Sequence, residues 1–235
     1  MGLVSAIVLG LSAVPAGATL VCPPGTTNPK YCLNVPPIAT TAGAVPITGT
    51  TATLRGASGP GVPGGDITNY FFQYGKTRSY GQQTPTGTVG HCLGGATRCS
   101  SVPSSARVNA KIRHLVPCTR YNFRVVSKNS DGTTLGNNAK FRTRFARPIK
   151  RVKTPRHVTH RHFFKVKVTL SYGANVTISL RRHGHTVKRY KLGFRGPGSF
   201  SKKIKAPRTR GKYTLSVFAR LSCGAEVFSR TLRVR

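Results

Sequence analysis

Acidic residues are almost missing from this chain: Asp66, Asp131 and Glu226 are the only three in 235 residues, against 38 Lys and Arg. That shortage excludes most carboxylate chemistry. Glycoside cleavage needs two acids about 5–10 Å apart, whereas Asp66 and Asp131 fall in turn-forming stretches and Glu226 stands by itself. Asp131, directly before Gly132, reads as a turn former. Helix-period patterns are missing as well, so no phosphate-cradling glycine loop leads into a helix. After the first twenty-odd residues, no apolar run is long enough to cross a membrane.

What is present begins with MGLVSAIVLGLSAVPAGA, an apolar run closed by small residues. It reads as a secretory signal peptide over residues 1–18, cleaved after Ala18, although no Lys or Arg precedes the apolar run. The alternative is an uncleaved anchor, since the stretch to Val21 is just long enough to span. Bulky Val21 argues against lipid attachment at Cys22. All six cysteines follow Ala18, which fits an oxidising compartment and three disulfides. Oxidised cysteines exclude a thiolate nucleophile. The expected localisation is secreted and extracellular, with association to the cell envelope.

The most informative segment is LVPCTRYNFRVVSKNSDG at 115–132. A turn carrying Pro117 and Thr119 runs into a strand with Tyr121, Phe123 and Val125 on one side, then reaches an Asn-Ser-Asp-Gly turn. A tyrosine so placed matches a tyrosine corner, its ring in the core and its hydroxyl bonded back to the main chain. Short alternating segments separated by Gly, Pro and Asn recur along the chain and indicate an all-β sandwich architecture. Strands are expected near Thr51–Ala57, Thr68–Gly75, Arg107–Arg113, Tyr121–Lys128 and Ala139–Phe145. A second set follows near Phe163–Leu170, Val176–Arg181, Thr186–Leu192, Phe200–Lys205, Lys212–Arg220 and Val227–Val234. Residues 19–36 read as a Pro-rich tail, and 146–162 as a basic linker or first strand between two domains, 37–145 and 163–235.

Residues 37–145 resemble a bacterial fibronectin type III domain. TTATLRGAS at 50–58, YFFQYGKTRSYG at 70–81, LVPCTRYNFRVVSKNSDGTTLG at 115–136 and FRTRF at 141–145 carry the resemblance in the family's order. Two features depart from it: the chain has no tryptophan, and Cys118 stands where the turn usually has Gly. Residues 163–235 resemble bacterial Ig-like repeats that end in a G-x-Y-x-L-x-V strand, here Gly211 to Val217 with Tyr213 as its structural tyrosine. The expected fold class is all-β, two consecutive immunoglobulin-like or fibronectin type III-like sandwiches. The resemblance implies a binding or spacer module, although fold alone does not fix function.

Sandwich topology bears on the cysteines. Because strands alternate direction, the turn before Tyr121 lies where the first domain's last strand exits. The turn holding Cys223 lies at the second domain's starting end. The expected pairs are Cys118–Cys223 as a staple between the domains, with Cys22–Cys32 and Cys92–Cys99 as local bridges. Six cysteines allow fifteen connectivities, and the alternative pairs Cys118 within its own region.

Charge points to a partner. Residues 146–235 hold 24 of the 38 basic residues and one acid. In Phe163–Leu170, Lys165 and Lys167 alternate with apolar residues and so point outward. Phe200–Lys205 is expected beside it, presenting Lys203 and Lys205, with a bulge to accommodate the out-of-pattern Lys202. Lys150, Arg151, Lys153, Arg156 and Arg161 are close in sequence. Such a strip suits a repeating anion, bound with strong salt dependence. The expected partners are anionic cell-wall polymer or acidic polysaccharide, anionic lipid, and nucleic acid non-specifically in vitro. Tyr70, Phe72, Tyr74, Tyr121, Phe123 and Tyr213 read as core rather than base-stacking platforms. His157, His160 and His162 are weak metal candidates; His160 and His162 would share a face on a strand, yet arginines surround them and no carboxylate orients the rings. His183 and His185 flank a glycine turn in equally basic surroundings. No cofactor is expected. The leading expectation is thus a non-enzymatic polyanion-binding or spacer protein of the cell envelope. The alternatives are an accessory metal-dependent or glycan-active enzyme, and an anionic-membrane or receptor-binding protein.

Overall fold

The structure is a computed structural model that describes residues 20–21, 33–34, 36–61, 67–90 and 104–235. The signal-peptide reading and the Cys22–Cys32 and Cys92–Cys99 pairs lie outside the described residues, as does Asp66. All regular structure among the described residues is β, and no helix there is long and apolar enough to cross a membrane.

The first set of strands is β1 (Leu20–Val21), β2 (Leu33–Asn34), β3 (Ile38–Thr41), β4 (Ala52–Gly59), β5 (Thr68–Gly75), β6 (Gln82–Gln83), β7 (Gly87–Val89), β8 (Ala106–Ile112), β9 (Arg120–Asn129), β10 (Gly132–Leu135) and β11 (Ala139–Arg142). The second is β12 (Ile149–Lys153), β13 (His157–Val158), β14 (Phe163–Leu170), β15 (Ala174–Arg182), β16 (His185–Arg195), β17 (Gly198–Lys205), β18 (Gly211–Leu221) and β19 (Gly224–Val234). β3–β11 and β12–β19 each form an Ig-like or fibronectin type III-like sandwich, while β1 and β2 pair as a two-stranded sheet of their own. The described residues cluster into two compact units. One lies within Met1–Gly43, Leu54–Ala110 and Asn122–Lys140, the other within Ala44–Thr53, Lys111–Tyr121 and Phe141–Arg235.

In the first sandwich, a sheet of order β3-β4-β8 faces one of order β10-β9-β5-β6, with β7 on β5 and β11 on β9. The inward alternation of β4, β5 and β9 builds the core. Leu54, Phe72, Phe123 and Val125 are wholly buried, each contributing about 1.5–3 kcal/mol of hydrophobic stabilisation. The Ser58 and Ser127 hydroxyls bond to each other at 2.8 Å, so neither buried group is left unpaired. The β9–β10 turn forms as its sequence indicates, Asn129 Oδ1 accepting from the Asp131 N–H at 3.0 Å.

The tyrosine corner is present. Tyr121 is buried and stacks on Phe141 with ring centroids 5.4 Å apart. Its hydroxyl accepts from the Val116 N–H at 3.0 Å. The second sandwich repeats the device: Tyr213 is buried, and its hydroxyl donates to the Thr209 carbonyl at 2.8 Å.

The second sandwich pairs a sheet of order β12-β14-β17 with one of order β13-β19-β18-β15-β16. Its core takes Val166 and Val168 from β14, Ile178 and Leu180 from β15, Ile204 from β17, Leu215 and Val217 from β18 and Leu232 from β19. The β15–β16 hairpin closes through His183 and Gly184, both at positive φ (47° and 81°), the geometry a two-residue turn needs to match strand twist. Residues 146–162 hold β12 and β13. β12 is poorly marked in sequence because its alternation breaks at Lys150, where a bulge shifts the register between Ile149 and Arg151. Glu226 anchors that end, its Oε2 accepting from the Ile149 N–H at 2.7 Å.

Cys118 and Cys223 are bonded, joining the turn ahead of β9 to the two-residue turn between β18 and β19. Both cysteines belong to the same compact unit. Ser222 tightens the junction by donating to the Cys118 carbonyl at 3.1 Å.

Candidate polyanion-binding face

The basic face is assembled by strand register. β14 buries Phe164, Val166, Val168 and Leu170 and exposes Phe163, Lys165 and Lys167. β17 pairs antiparallel with it, setting Lys203 opposite Lys165 and Lys205 opposite Phe163. On the other side β12 sets Lys153 opposite Lys167 and Arg151 opposite Thr169. Directly opposed residues have Cβ atoms about 4.5–5.5 Å apart, and same-face neighbours along a strand are about 6.5 Å apart. Lys153, Lys165, Lys167, Lys203 and Lys205 thus form a close cationic lattice, and all are exposed. Like charges opposed across strands destabilise the pairing. The lattice therefore carries a folding cost that a bound anion would remove. Lys205 offsets part of its own share with its ammonium 5.8 Å from the Phe163 ring centroid, a contact worth about 0.5–1 kcal/mol at an exposed site.

Lys202 resolves differently from the sequence reading. β17 runs in unbroken register along β14, so no bulge absorbs the residue. Lys202 stands opposite Val166 on the inner side, half-buried, with its Nζ 5.8 Å from the Tyr190 ring centroid. A lysine can serve there because its alkyl stem covers apolar surface while the ammonium reaches outward. Burial in this region pushes the Tyr190 phenol above its ordinary value of 10.0. Lys188 stitches the same open edge, donating to the Lys205 carbonyl at 3.1 Å.

Other candidates disperse. Lys150 is exposed in the β12 bulge. Arg161 occupies a turn ahead of β14 at φ 61°. Arg156 belongs with the opposite sheet, its carbonyl accepting from the Arg233 N–H at 2.8 Å. The histidines do not share a strand face as expected. His157 begins β13, but residues 159–162 turn, and the His160 Nδ1 lies 3.0 Å from the Arg235 main-chain oxygen. The turn follows from Arg161, whose left-handed backbone cannot continue a strand. Among the described residues, no three His, Cys, Asp or Glu gather as an ion site.

Glu226 acquires a purpose the sequence hid, since its main-chain partner Ile149 lies 77 positions away. Also unforeseen is the outer face of the five-stranded sheet. Register lines up Ser229, Ser216 and Ser179 across three strands, with Arg189 beyond. The Ser216 and Ser229 hydroxyls are 2.9 Å apart, and the buried Ser179 hydroxyl has no hydrogen-bond partner among the described residues. The signal was the alternation Lys212-x-Thr214-x-Ser216 on β18, polar at every other residue.

No family model matches the chain, and no curated protein matches it. Solved structures align with the chain at low identity. A two-domain fibronectin type III segment of chicken tenascin aligns at 13% identity and TM-score 0.47, covering 83% of this chain and 98% of that one. The FN1–FN3 domains of chicken CNTN1 align at 15% identity and TM-score 0.35, covering 84% and 67%. The sulfur carrier protein SoxY of Chlorobium limicola f thiosulfatophilum aligns at 17% identity and TM-score 0.29, covering 36% and 77%.

Proposed function

We propose that the protein is a secreted, non-enzymatic binding or spacer protein of the cell envelope, built from a bacterial fibronectin type III domain over 37–145 and a bacterial Ig-like domain over 163–235. The C-terminal sandwich attaches it to a polyanion, an anionic cell-wall polymer or acidic polysaccharide. The N-terminal sandwich acts as spacer or protein contact. One observation carries the reading: Lys153, Lys165, Lys167, Lys203 and Lys205 are brought from three strands onto one exposed sheet face. A rigid lattice of ammonium groups suits a repeating anion, because each contact is weak and orientation-tolerant while their sum is strong. The same charges would hold nucleic acid non-specifically in vitro.

The test is a pull-down of the purified protein on isolated cell walls, with and without their anionic polymers. Retention that needs the polymer and is lost when Lys165, Lys167, Lys203 and Lys205 become Gln supports the reading. Retention on stripped walls, or by the variant, overturns it. Phe163 favours anionic lipid as a second surface, being 67% exposed at the edge of the lysine lattice. Anionic vesicles that capture the protein while stripped and unstripped walls do not would replace the polymer with the membrane.

A further inference from the structure

A second concentration of charge lies on the opposite sheet of the C-terminal sandwich. β13 runs parallel to β19 with His157 opposite Arg233, and β18 runs antiparallel to β19 with Lys212 opposite the same Arg233. Three strands therefore place His157, Arg233 and Lys212 in one row, all exposed, at about 4.8 Å per strand. Arg156, Arg230 and Thr231 complete the walls of an open cleft of about 580 Å³, within the range of small-ligand sites. Arg230 lines the cleft but pairs with the buried Leu215, so its side chain leaves the inner side of the sheet, where Nη1 donates to the Thr154 carbonyl at 3.2 Å.

Among the described residues that line the cleft, none is Asp or Glu. Glu226 is the one acid of this sandwich, and its carboxylate is turned to the Ile149 N–H. Packing two arginines, a lysine and a histidine with no Asp or Glu among the lining residues is unfavourable in the empty protein. It becomes favourable when one group supplies both charge and several acceptor oxygens. Arginine's planar fork matches a tetrahedral oxyanion in two-pronged fashion, and the Thr231 hydroxyl adds a neutral donor. A planar carboxylate has only two oxygens to share among these donors, a phosphate three or four.

We propose that this cleft is a discrete phosphate site, taking a phosphomonoester or free phosphate on Arg156, Lys212 and Arg233. It is separate from the lysine lattice on the other sheet and does not depend on it. A polymer bound along the lattice needs many repeats, whereas the cleft binds one group.

The experiment is a 1H–15N NMR titration of the protein with inorganic phosphate at ionic strength fixed by sodium chloride. Saturable shifts are expected at residues 156–158, 212 and 230–233. Lys212→Gln with Arg233→Gln weakens the affinity about tenfold or more, the effect of losing a charge-assisted contact. Lys165→Gln with Lys203→Gln leaves it unchanged, and each variant's spectrum reports its folding. Non-saturating shifts spread over both sheets, or equal weakening by the two variant pairs, would overturn the site. Glycerol phosphate and phosphatidic acid bicelles form the last arms. Shifts with the former alone assign a soluble or polymer-end phosphate, and shifts with bicelles assign a lipid headgroup. Acetate matching phosphate would also overturn it. Failure of the unsubstituted protein to bind cell walls, with its phosphate shifts intact, would refute the envelope reading alone.

Discussion

Replacing Cys118 and Cys223 by Ser removes a cross-link between residues 105 apart in sequence. In the chain-entropy model, closing a loop of that length restricts the unfolded chain by about 16 cal/mol/K, or about 4.8 kcal/mol at 25 °C. The native side adds a second term that separates two substitutions. Cys118 holds φ at 57°, where a residue with a Cβ costs about 1–2 kcal/mol relative to Gly. The cysteine at this turn therefore carries backbone strain alongside the cross-link. Cys118→Gly with Cys223→Ser should accordingly lose about 1 kcal/mol less than the double serine variant, after allowing for the greater freedom of unfolded glycine. The assay is native-state hydrogen exchange at the Leu215 and Val217 amides in the buried centre of β18. The opening free energy should fall by about 4–5 kcal/mol in the double serine variant and by about 3–4 in the glycine variant. A double serine variant within about 1 kcal/mol of the parent would refute the entropic reasoning. A glycine variant no more stable than the serine one would refute the reading of the turn.

Three further outcomes follow from the second sandwich. Ile204→Ala, at a fully buried site, should cost about 2–5 kcal/mol in urea unfolding, while Lys203→Ala beside it should cost under about 0.5 kcal/mol or stabilise by relieving Lys165. Glu226→Ala leaves the Ile149 N–H without its acceptor and should cost about 1–3 kcal/mol, with Glu226→Gln losing less because its side-chain oxygen can still accept. The same unfolding curves measure it, and equal loss in both variants would contradict the hydrogen-bond account. Burial raises the Tyr190 pKa above 10.0, so the folded state holds that proton more tightly than the unfolded state. Its contribution is fully present below the unfolded value of about 10 and is lost as pH rises through the raised folded value. Difference ultraviolet titration against Tyr190→Phe should place the Tyr190 transition above 10.0; one at or below 10.0 would contradict it.

What the sequence made legible depended on alternation. β14 was readable to its last residue because four buried positions alternate with Phe163, Lys165, Lys167 and Thr169. The Tyr121 corner was readable because that tyrosine stands where a Pro-bearing turn enters an alternating strand, whereas Tyr213 was legible only as a core residue and its bond to Thr209 was not. The edge strands β3, β6, β7 and β10 were not. They are two to four residues long, too short for a period to show, and their places depend on neighbouring strands. Lys202 misled because parity alone does not distinguish a buried side chain from one that lies along the core's rim. The cleft row was illegible for a topological reason. Lys212 and Arg233 face each other across the β18–β19 hairpin, but His157 joins them only because β13 runs parallel to β19, a pairing that no local pattern announces. Glu226 looked isolated because its partner is a main-chain N–H, which every non-proline residue carries.

The lysine lattice is the centre of the account, and its salt response tests it most directly. The affinity of the protein for a purified anionic wall polymer would be measured across a sodium chloride series, for the parent and for the Lys165, Lys167, Lys203 and Lys205 to Gln variant. Each phosphate contact contributes about 0.7–0.9 to the slope of log affinity against log salt. The account therefore predicts a steep negative slope in the parent and a slope shallower by about 3 in the variant. Identical slopes in the two proteins, or binding indifferent to salt, would contradict it.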